Sequence, residues 1–328
     1  MSTRILALFC LLITVLLITA SVGAQQPKVP RIGFVTGSGE PNNPGPNVEA
    51  FRQGLQSLGY IEGKNILVEY RYPQGTDRIP SLVAELVQLK VDVFVSPILS
   101  AILAAKQATK TIPIVMLING NPVELGIIDS LARPGGNITG ITRFNRELSW
   151  KRLELFKEVA PGMSRVSVLN DAGQAGSGGA VEVYEAAARA LKIPFTSLKI
   201  RDPNPDLEGS FRTAAKERVS GIIVSRAGVL FRYRKKIADL AMKSRLPSMF
   251  EGSDFVEAGG LVSYASNDAE SYRRAATYVD KILKGTKPAD LPVEQPMKFE
   301  LVINLKAAKQ IGLTIPSDVL LRADRVIK

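Results

Sequence analysis

The sequence has no histidine, and its one cysteine is Cys10. Without histidine, a Ser-His-Asp triad, a histidine general base, a histidine-ligated zinc or iron site and a histidine-held haem are all excluded. The chain also lacks a dinucleotide-binding glycine fingerprint and a phosphate-loop Gly-Lys-Ser/Thr motif, which argues against nucleotide binding. Any catalysis would have to use carboxylates, lysine, tyrosine or backbone dipoles; we predict no catalytic residue, no metal and no cofactor.

The amino-terminal segment has the pattern of an export signal. Arg4 is followed by Ile5–Ala20, an uncharged apolar run of 16 residues, and a membrane span needs about 20. Small residues at 22–24 suit a signal peptidase. We predict a signal peptide at 1–24, cleaved after Ala24, and a periplasmic location, with a retained membrane anchor as the alternative. Cys10 follows bulky residues, unlike a lipid-attachment site, and its removal leaves no possible disulfide.

Length and composition indicate a globular protein of about two domains. The chain has 328 residues, of which 45% are apolar and 22% charged. Its net charge is +11, but the densest basic cluster, Arg232 with Arg234–Lys236, has no interleaved aromatic residues. This cluster fits a solvated helix face better than a nucleic-acid surface, so we predict no nucleic-acid partner.

Strand and helix patterns alternate along the mature chain. Segments of strand length and strand-like composition occur at Ile32–Val35, Ile66–Tyr70, Val91–Val95, Pro113–Ile118, Val166–Asn170, Phe195–Ile200, Gly221–Val224, Pro247–Phe250 and Leu261–Tyr264. Segments with helical spacing separate them, which predicts βαβ units and parallel sheets. The second half repeats this plan without repeating the sequence, so we expect two α/β lobes facing across a cleft.

Several sequence blocks, in order, resemble a known family. The blocks are Phe51–Leu55, Gly59–Asn65, Asn121–Gly126, Arg133–Gly140, Lys151–Leu155, Phe255–Leu261, Lys298–Lys306 and Gly312–Pro316. Over essentially the whole mature chain they resemble the periplasmic substrate-binding proteins of ABC importers of the tryptophan/tyrosine type. The blocks identify this family better than they identify its ligand.

The resemblance implies a type I periplasmic-binding fold: two doubly wound parallel-sheet lobes joined by a hinge of three chain crossings. Lobe 1 would hold residues 25–143 and 267–293, and lobe 2 residues 144–266 and 294–328. The crossings would lie near 142–147, 265–268 and 291–297. The implied function is capture of a small molecule (an amino acid, aromatic or carboxylate-bearing compound) by lobe closure. The solute would pass to an ABC permease with a separate ATPase, from a monomer that meets the membrane only through that permease.

Candidate ligand-binding residues follow from the rule that ligands bind beyond the carboxyl ends of parallel strands. They are Thr36, Gly37, Ser38, Ser96, Pro97, Asn119 and Asn121 in lobe 1, and Asn170, Asp171, Arg226, Glu251 and Tyr264 in lobe 2. Each position also fits a helix cap or a turn. Tyr70, Tyr72, Phe250 and Tyr264 could stack on a flat ligand, although aromatic residues in strands usually belong to the core.

Two positions depart from the family pattern. Relatives commonly have aspartate where this chain has Asn121, and a small or acidic residue near Arg226. A guanidinium can donate two hydrogen bonds to one carboxylate, so we hypothesise an anionic or carboxylate-bearing solute. The alternative is that Arg226 points into water or pairs with Asp171 or Glu251.

Two other functions stay open at this point. A loaded periplasmic sensor could dock on a membrane receptor. Less favoured is a periplasmic enzyme in which Asp171 and Glu251 form an acid/base pair, since the sequence does not bring them within hydrogen-bond reach.

Overall fold

The computed structural model describes residues 28–37, 39–73, 75–143, 146–173, 177–201, 204–296 and 298–328. The signal peptide predicted at 1–24 and the candidate residue Ser38 lie outside the described residues. Within the described ranges, none of the helices combines the length and the apolar character that crossing a bilayer requires.

The first lobe is built on a five-stranded, wholly parallel sheet with the order β2-β1-β3-β4-β5. Its strands are β1 (Arg31–Val35), β2 (Leu67–Arg71), β3 (Val93–Ser96), β4 (Ile114–Ile118) and β5 (Ile138–Thr142). Helices α1 (Gly45–Ser57), α2 (Ile79–Gln88) and α3 (Leu99–Ala108) connect the first four strands. Apolar residues of α1 pack on one face of the sheet and those of α2 and α3 on the other, which buries both faces.

The second lobe contains seven strands in the order β12-β11-β10-β9-β8-β6-β7. They are β6 (Val166–Asp171), β7 (Phe195–Ile200), β8 (Gly221–Val224), β9 (Ser248–Phe250), β10 (Val262–Ser266), β11 (Phe299–Asn304) and β12 (Arg325–Ile327). Strands β6 to β10 are parallel, whereas β11 runs antiparallel to β10 and parallel to β12.

Helices cover both faces of this second sheet. They are α4 (Arg146–Val159), α5 (Ser177–Ala190), α6 (Leu207–Lys216), α7 (Gly228–Arg232), α8 (Arg234–Lys243), α9 (Ser253–Glu257), α11 (Leu305–Ile311) and α12 (Ser317–Leu321). One face packs against α4, α5, α11 and α12, and the other against α6 to α9. In the basic cluster at the start of α8, Lys235 and Lys236 are exposed, as expected for a solvated face.

Helix α10 (Asp268–Leu283) returns to the first lobe, where its buried residues join the core of α1 and β1. The chain then runs beside β5: the N–H of Glu294 donates to the Gly140 carbonyl at 3.0 Å, and the N–H of Thr142 donates to the Glu294 carbonyl at 3.0 Å. It next enters the second sheet as β11. The chain therefore passes between the sheets three times, after β5, after β10 and after Glu294.

The predicted two-lobe α/β architecture is confirmed, and all nine predicted strands are present within two residues at each end. Strands β5, β11 and β12 were not among the predicted strands. Gly140 lies in β5 at φ +132°, where an added Cβ would come within 2.2 Å of the Met116 carbonyl oxygen. A glycine is therefore needed for β5 to pair closely with β4.

Candidate functional site

The carboxyl ends of the two sheets face each other. Asn119 follows β4 in the first lobe, and Arg226 follows β8 in the second. The Asn119 side-chain amide donates to the Arg226 carbonyl at 3.3 Å, which joins the two edges. The candidate cleft lies between them, where the rule for parallel sheets predicts it.

In the first lobe, Thr36 and Ser96 are fully buried at the point where the strand order reverses, between β1 and β3. The Ser96 hydroxyl donates to the Val35 carbonyl at 2.8 Å and accepts from the Ile98 N–H at 3.0 Å. Ser96 therefore links the end of β1 to the loop that follows β3.

The remaining first-lobe candidates lie on loop surfaces. Gly37 is exposed, and Pro97 is half-buried. The Asn121 side-chain oxygen accepts from the Val123 N–H at 3.1 Å, which is the turn-forming role weighed for it.

In the second lobe, Asn170 and Asp171 end β6 and are buried. The Asn170 side-chain oxygen accepts from the Ser197 hydroxyl at 3.2 Å, and the Asp171 carboxylate accepts from the Gly173 N–H at 2.9 Å. Both side chains thus hold neighbouring backbone and strand positions at the cleft edge.

Glu251, after β9, is the centre of a buried polar group. Its carboxylate accepts from the Arg152 guanidinium at 3.1 Å, from the Tyr184 hydroxyl at 2.7 Å and from the Arg226 N–H at 3.0 Å. Arg152 also donates to the Tyr264 carbonyl at 2.6 Å, so it anchors the end of β10. Burial raises the pKa of the Tyr184 hydroxyl, which remains a neutral donor.

The acid/base pair considered for Asp171 and Glu251 gains no support from this arrangement. Among the described residues, the hydrogen bonds of Asp171 and those of Glu251 involve different partners. Within the same ranges, no group of three or more acidic side chains is arranged to hold a metal ion.

The Arg226 side chain does not follow either alternative stated for it. It is 10% exposed and pairs with Asp254 at 2.7 Å and with Asp268. Of Arg226, the Glu251 carboxylate contacts only the backbone N–H. The Arg226 guanidinium lies 5.1 Å from the centre of the Phe231 ring. Arg226 is therefore already paired with two carboxylates instead of pointing into water or pairing with the Asp171 side chain.

Arg143, after β5, completes this cluster by donating to Asp268. Burial alone would raise the pKa of Asp268, but the guanidinium groups of Arg226 and Arg143 outweigh it and hold that pKa below its ordinary value. The pKa of Arg226 is raised: burial would lower it, but the carboxylates of Asp268 and Asp254 have the larger combined effect. The cluster thus contains two guanidinium groups and two carboxylates, and its formal charges sum to zero.

Sequence reasoning missed Arg143, Asp254 and Asp268. Arg143 directly follows β5, and Asp268 lies two residues after β10. The strand-end rule would have found both residues if β5 had been predicted and if β10 had been predicted to its last residue. Asp254 lies in the first turn of the short helix α9 and carried no comparable signal.

The candidate aromatic residues separate into core and edge. Phe250 is fully buried and stacks on Phe255, with ring centres 5.1 Å apart, so it belongs to the core. Tyr70 and Tyr72 stack on each other at 6.4 Å on the edge strand β2 and its extension. Tyr264 packs on Phe299 at 6.0 Å. Of these four, Phe250 is excluded as a stacking surface.

Residues 45–327 match the family described as ABC transporter substrate binding protein, and the chain belongs to that family. The resemblance seen in the sequence blocks is confirmed. The fold is that of type I periplasmic binding proteins, two α/β lobes with parallel sheets.

Three relatives illustrate the similarity. A tyrosine-binding protein of Clostridioides difficile is 24% identical over 81% of this chain and 76% of its own length. The crystal structure of a conserved domain protein from Vibrio cholerae is 27% identical, with a TM-score of 0.83 over 91% of this chain and 100% of that one. A Streptococcus pneumoniae ABC domain in complex with L-Trp is 24% identical, with a TM-score of 0.81 over 91% and 99%. The matched family and the tyrosine-binding relative are binding proteins, not enzymes.

Proposed function

We propose that this substrate-binding protein captures an aromatic amino acid in the cleft between its lobes and delivers it unchanged to an ABC permease. The observation that carries the proposal is the pair of facing sheet edges, in contact through Asn119 and Arg226, in a chain matched to the family over 45–327. The tyrosine-binding relative and the structure with bound L-Trp make tyrosine and tryptophan the first solutes to test.

The charges at the cleft support a zwitterion or a neutral solute rather than an anion. The cluster around Arg226 is neutral because each guanidinium is paired with a carboxylate. A solute bearing only a carboxylate would have to displace a resident one to reach Arg226. The anionic-ligand hypothesis stays untested, and this neutrality weakens it.

One buried donor beside the cleft lacks an acceptor. Among the described residues, the buried Nε of Arg143 has no hydrogen-bond acceptor. A buried donor without an acceptor is costly, so a solute oxygen at this point would be favourable. The twelve strand-end residues remain our candidates for lining the cleft.

We also propose the setting in which the protein works. Residues 1–24 direct export and are removed after Ala24, and the mature protein acts in the periplasm as a monomer. The permease recognises the closed lobes, and a separate subunit supplies the ATPase. The hinge comprises the three segments near 142–147, 265–268 and 291–297.

The mature chain, residues 25–328, provides the test. We expect L-tyrosine or L-tryptophan to raise the melting temperature, because a solute at 100 times its Kd stabilises the folded state by about 2.7 kcal/mol. L-leucine and benzoate serve as comparison solutes. The variant Arg325→Gln, which removes a surface pair with Glu257, serves as the control variant. Mass spectrometry of the solute after incubation checks that it is unchanged. Absence of stabilisation by any aromatic amino acid contradicts the proposal, and a chemically altered solute would favour an enzyme.

A further inference from the structure

Each lobe has its own buried ion pair at the cleft. In the first lobe, Arg143 is held by its N–H, which donates to the Ile118 carbonyl at 2.7 Å, and its side chain pairs with Asp268 at the start of α10. In the second lobe, Arg226 pairs with Asp254 at 2.7 Å. Neither pair depends on the other lobe.

The two pairs meet between the lobes. Arg226 of the second lobe contacts Asp268 of the first, which gives a chain of alternating charge in the order Asp254, Arg226, Asp268, Arg143. The four side chains are 7% to 14% exposed. The hydrogen bond from the Asn119 amide to the Arg226 carbonyl is a second link between the lobes at the same residue.

Pairing within each lobe lowers the cost of bringing the charges together. Burying two bare ions is expensive, and the attraction between them often fails to repay it. Here each charge already has a partner before the lobes meet, so closure removes water from two neutral pairs. The additional contact between Arg226 and Asp268 is then a charge-assisted hydrogen bond with little new desolvation.

We propose that these four residues form a closure latch that holds the lobes together in the absence of solute. The latch sets solute affinity through the fraction of closed protein, since apparent affinity scales with the population of the competent state. This proposal rests on the proposed function only in taking the lobes to be mobile, and its first test needs no solute.

Two nearly isosteric variants separate the latch from a merely structural ion pair. Asp268→Asn removes the carboxylate that Arg226 reaches across the cleft, and Asp254→Asn removes the one on its own lobe. Both positions lie in the first turn of a helix, and their side chains are 12% and 14% exposed. In small-angle scattering of solute-free mature protein, we expect a larger radius of gyration for Asp268→Asn and no increase for Asp254→Asn. An equal radius in wild type and Asp268→Asn, or equal opening in both variants, overturns the latch.

If Asp268→Asn fails to fold, Arg226→Met provides a second test, because this variant leaves Asp268 paired with Arg143. We expect it to open the solute-free protein as well; an unchanged radius counts against the latch. With L-tyrosine as the probe, we expect Asp268→Asn to weaken binding on the order of tenfold, and saturating probe to restore the wild-type radius. Unchanged affinity in an opened variant contradicts the link to closure. If wild type binds no aromatic amino acid, the proposed function fails while the solute-free scattering still decides the latch.

Discussion

Two buried groups of paired arginine and carboxylate side chains in this protein connect different parts of the structure. Arg152, Glu251 and Tyr184 all belong to the second lobe, where they join α4, the loop after β9 and α5. Arg226, Asp254, Asp268 and Arg143 span both lobes. The two groups are therefore similar in chemistry and burial but differ in role. The first group stabilises one lobe, whereas the contacts of the second group depend on the relative position of the two lobes.

The largest expected effect is on the group within one lobe. Arg152→Met leaves the Glu251 charge buried without its cation, and breaking a buried pair in this way costs about 3–5 kcal/mol. We expect a loss of that size in the free energy of unfolding, measured by urea denaturation, with an unchanged radius of gyration for the folded protein. A loss under about 1 kcal/mol, as for exposed pairs, would show that Glu251 is well satisfied without Arg152.

A smaller stability loss is expected between the lobes. Arg226→Met should reduce the free energy of unfolding by about 1–3 kcal/mol, because the lobes can separate and let water reach Asp254 and Asp268. Urea denaturation and scattering should be measured together on this variant. A loss as large as that of Arg152→Met, with no change in radius, would remove the distinction between the two groups.

The pH dependence of stability should single out Asp268. Its pKa is lowered in the folded protein, so its contribution is present above its unfolded value of about 3.9 and is lost as pH falls through the folded pKa. Urea denaturation at pH 6, 4 and 3 should show the difference between wild type and Asp268→Asn shrinking toward the acid end. A difference that stays constant across this range would mean that Asp268 is not stabilised as an anion.

Asn119→Ala should have the smallest effect. The hydrogen bond from Asn119 to the Arg226 carbonyl is long, at 3.3 Å, and a typical hydrogen bond contributes about 0.5–1.5 kcal/mol. We expect a loss of about threefold in solute affinity by calorimetry, with Arg325→Gln unchanged as the surface control. Loss of binding altogether would instead place Asn119 in direct contact with the solute.

Much of the fold could be predicted because its parallel strands are buried on both faces. Such strands appear as continuous apolar runs, and Val93–Ser96 and Gly221–Val224 are fully buried as that pattern indicates. Phe299–Asn304 begins half-exposed and contains Glu300, so its pattern is weaker than that of these central strands. The three-residue strand Arg325–Ile327 is too short to give one.

The candidate site was predictable in position but not in pairing. The strand-end rule placed Arg226 and Glu251 at one edge, and the structure brings them together through a backbone N–H. The carboxylate that neutralises Arg226 across the cleft belongs to α10, which returns to the other lobe. That pairing depends on how the lobes meet, which the local sequence around Arg226 does not encode.

Isothermal titration calorimetry of the mature wild-type chain with L-tyrosine and L-tryptophan tests solute capture most directly. We expect saturable binding of at least one of them at one site per chain, with a negative heat-capacity change as apolar surface is buried. Titrations of both amino acids that give only heats of dilution, from protein shown by mass spectrometry to carry no bound molecule, would contradict it.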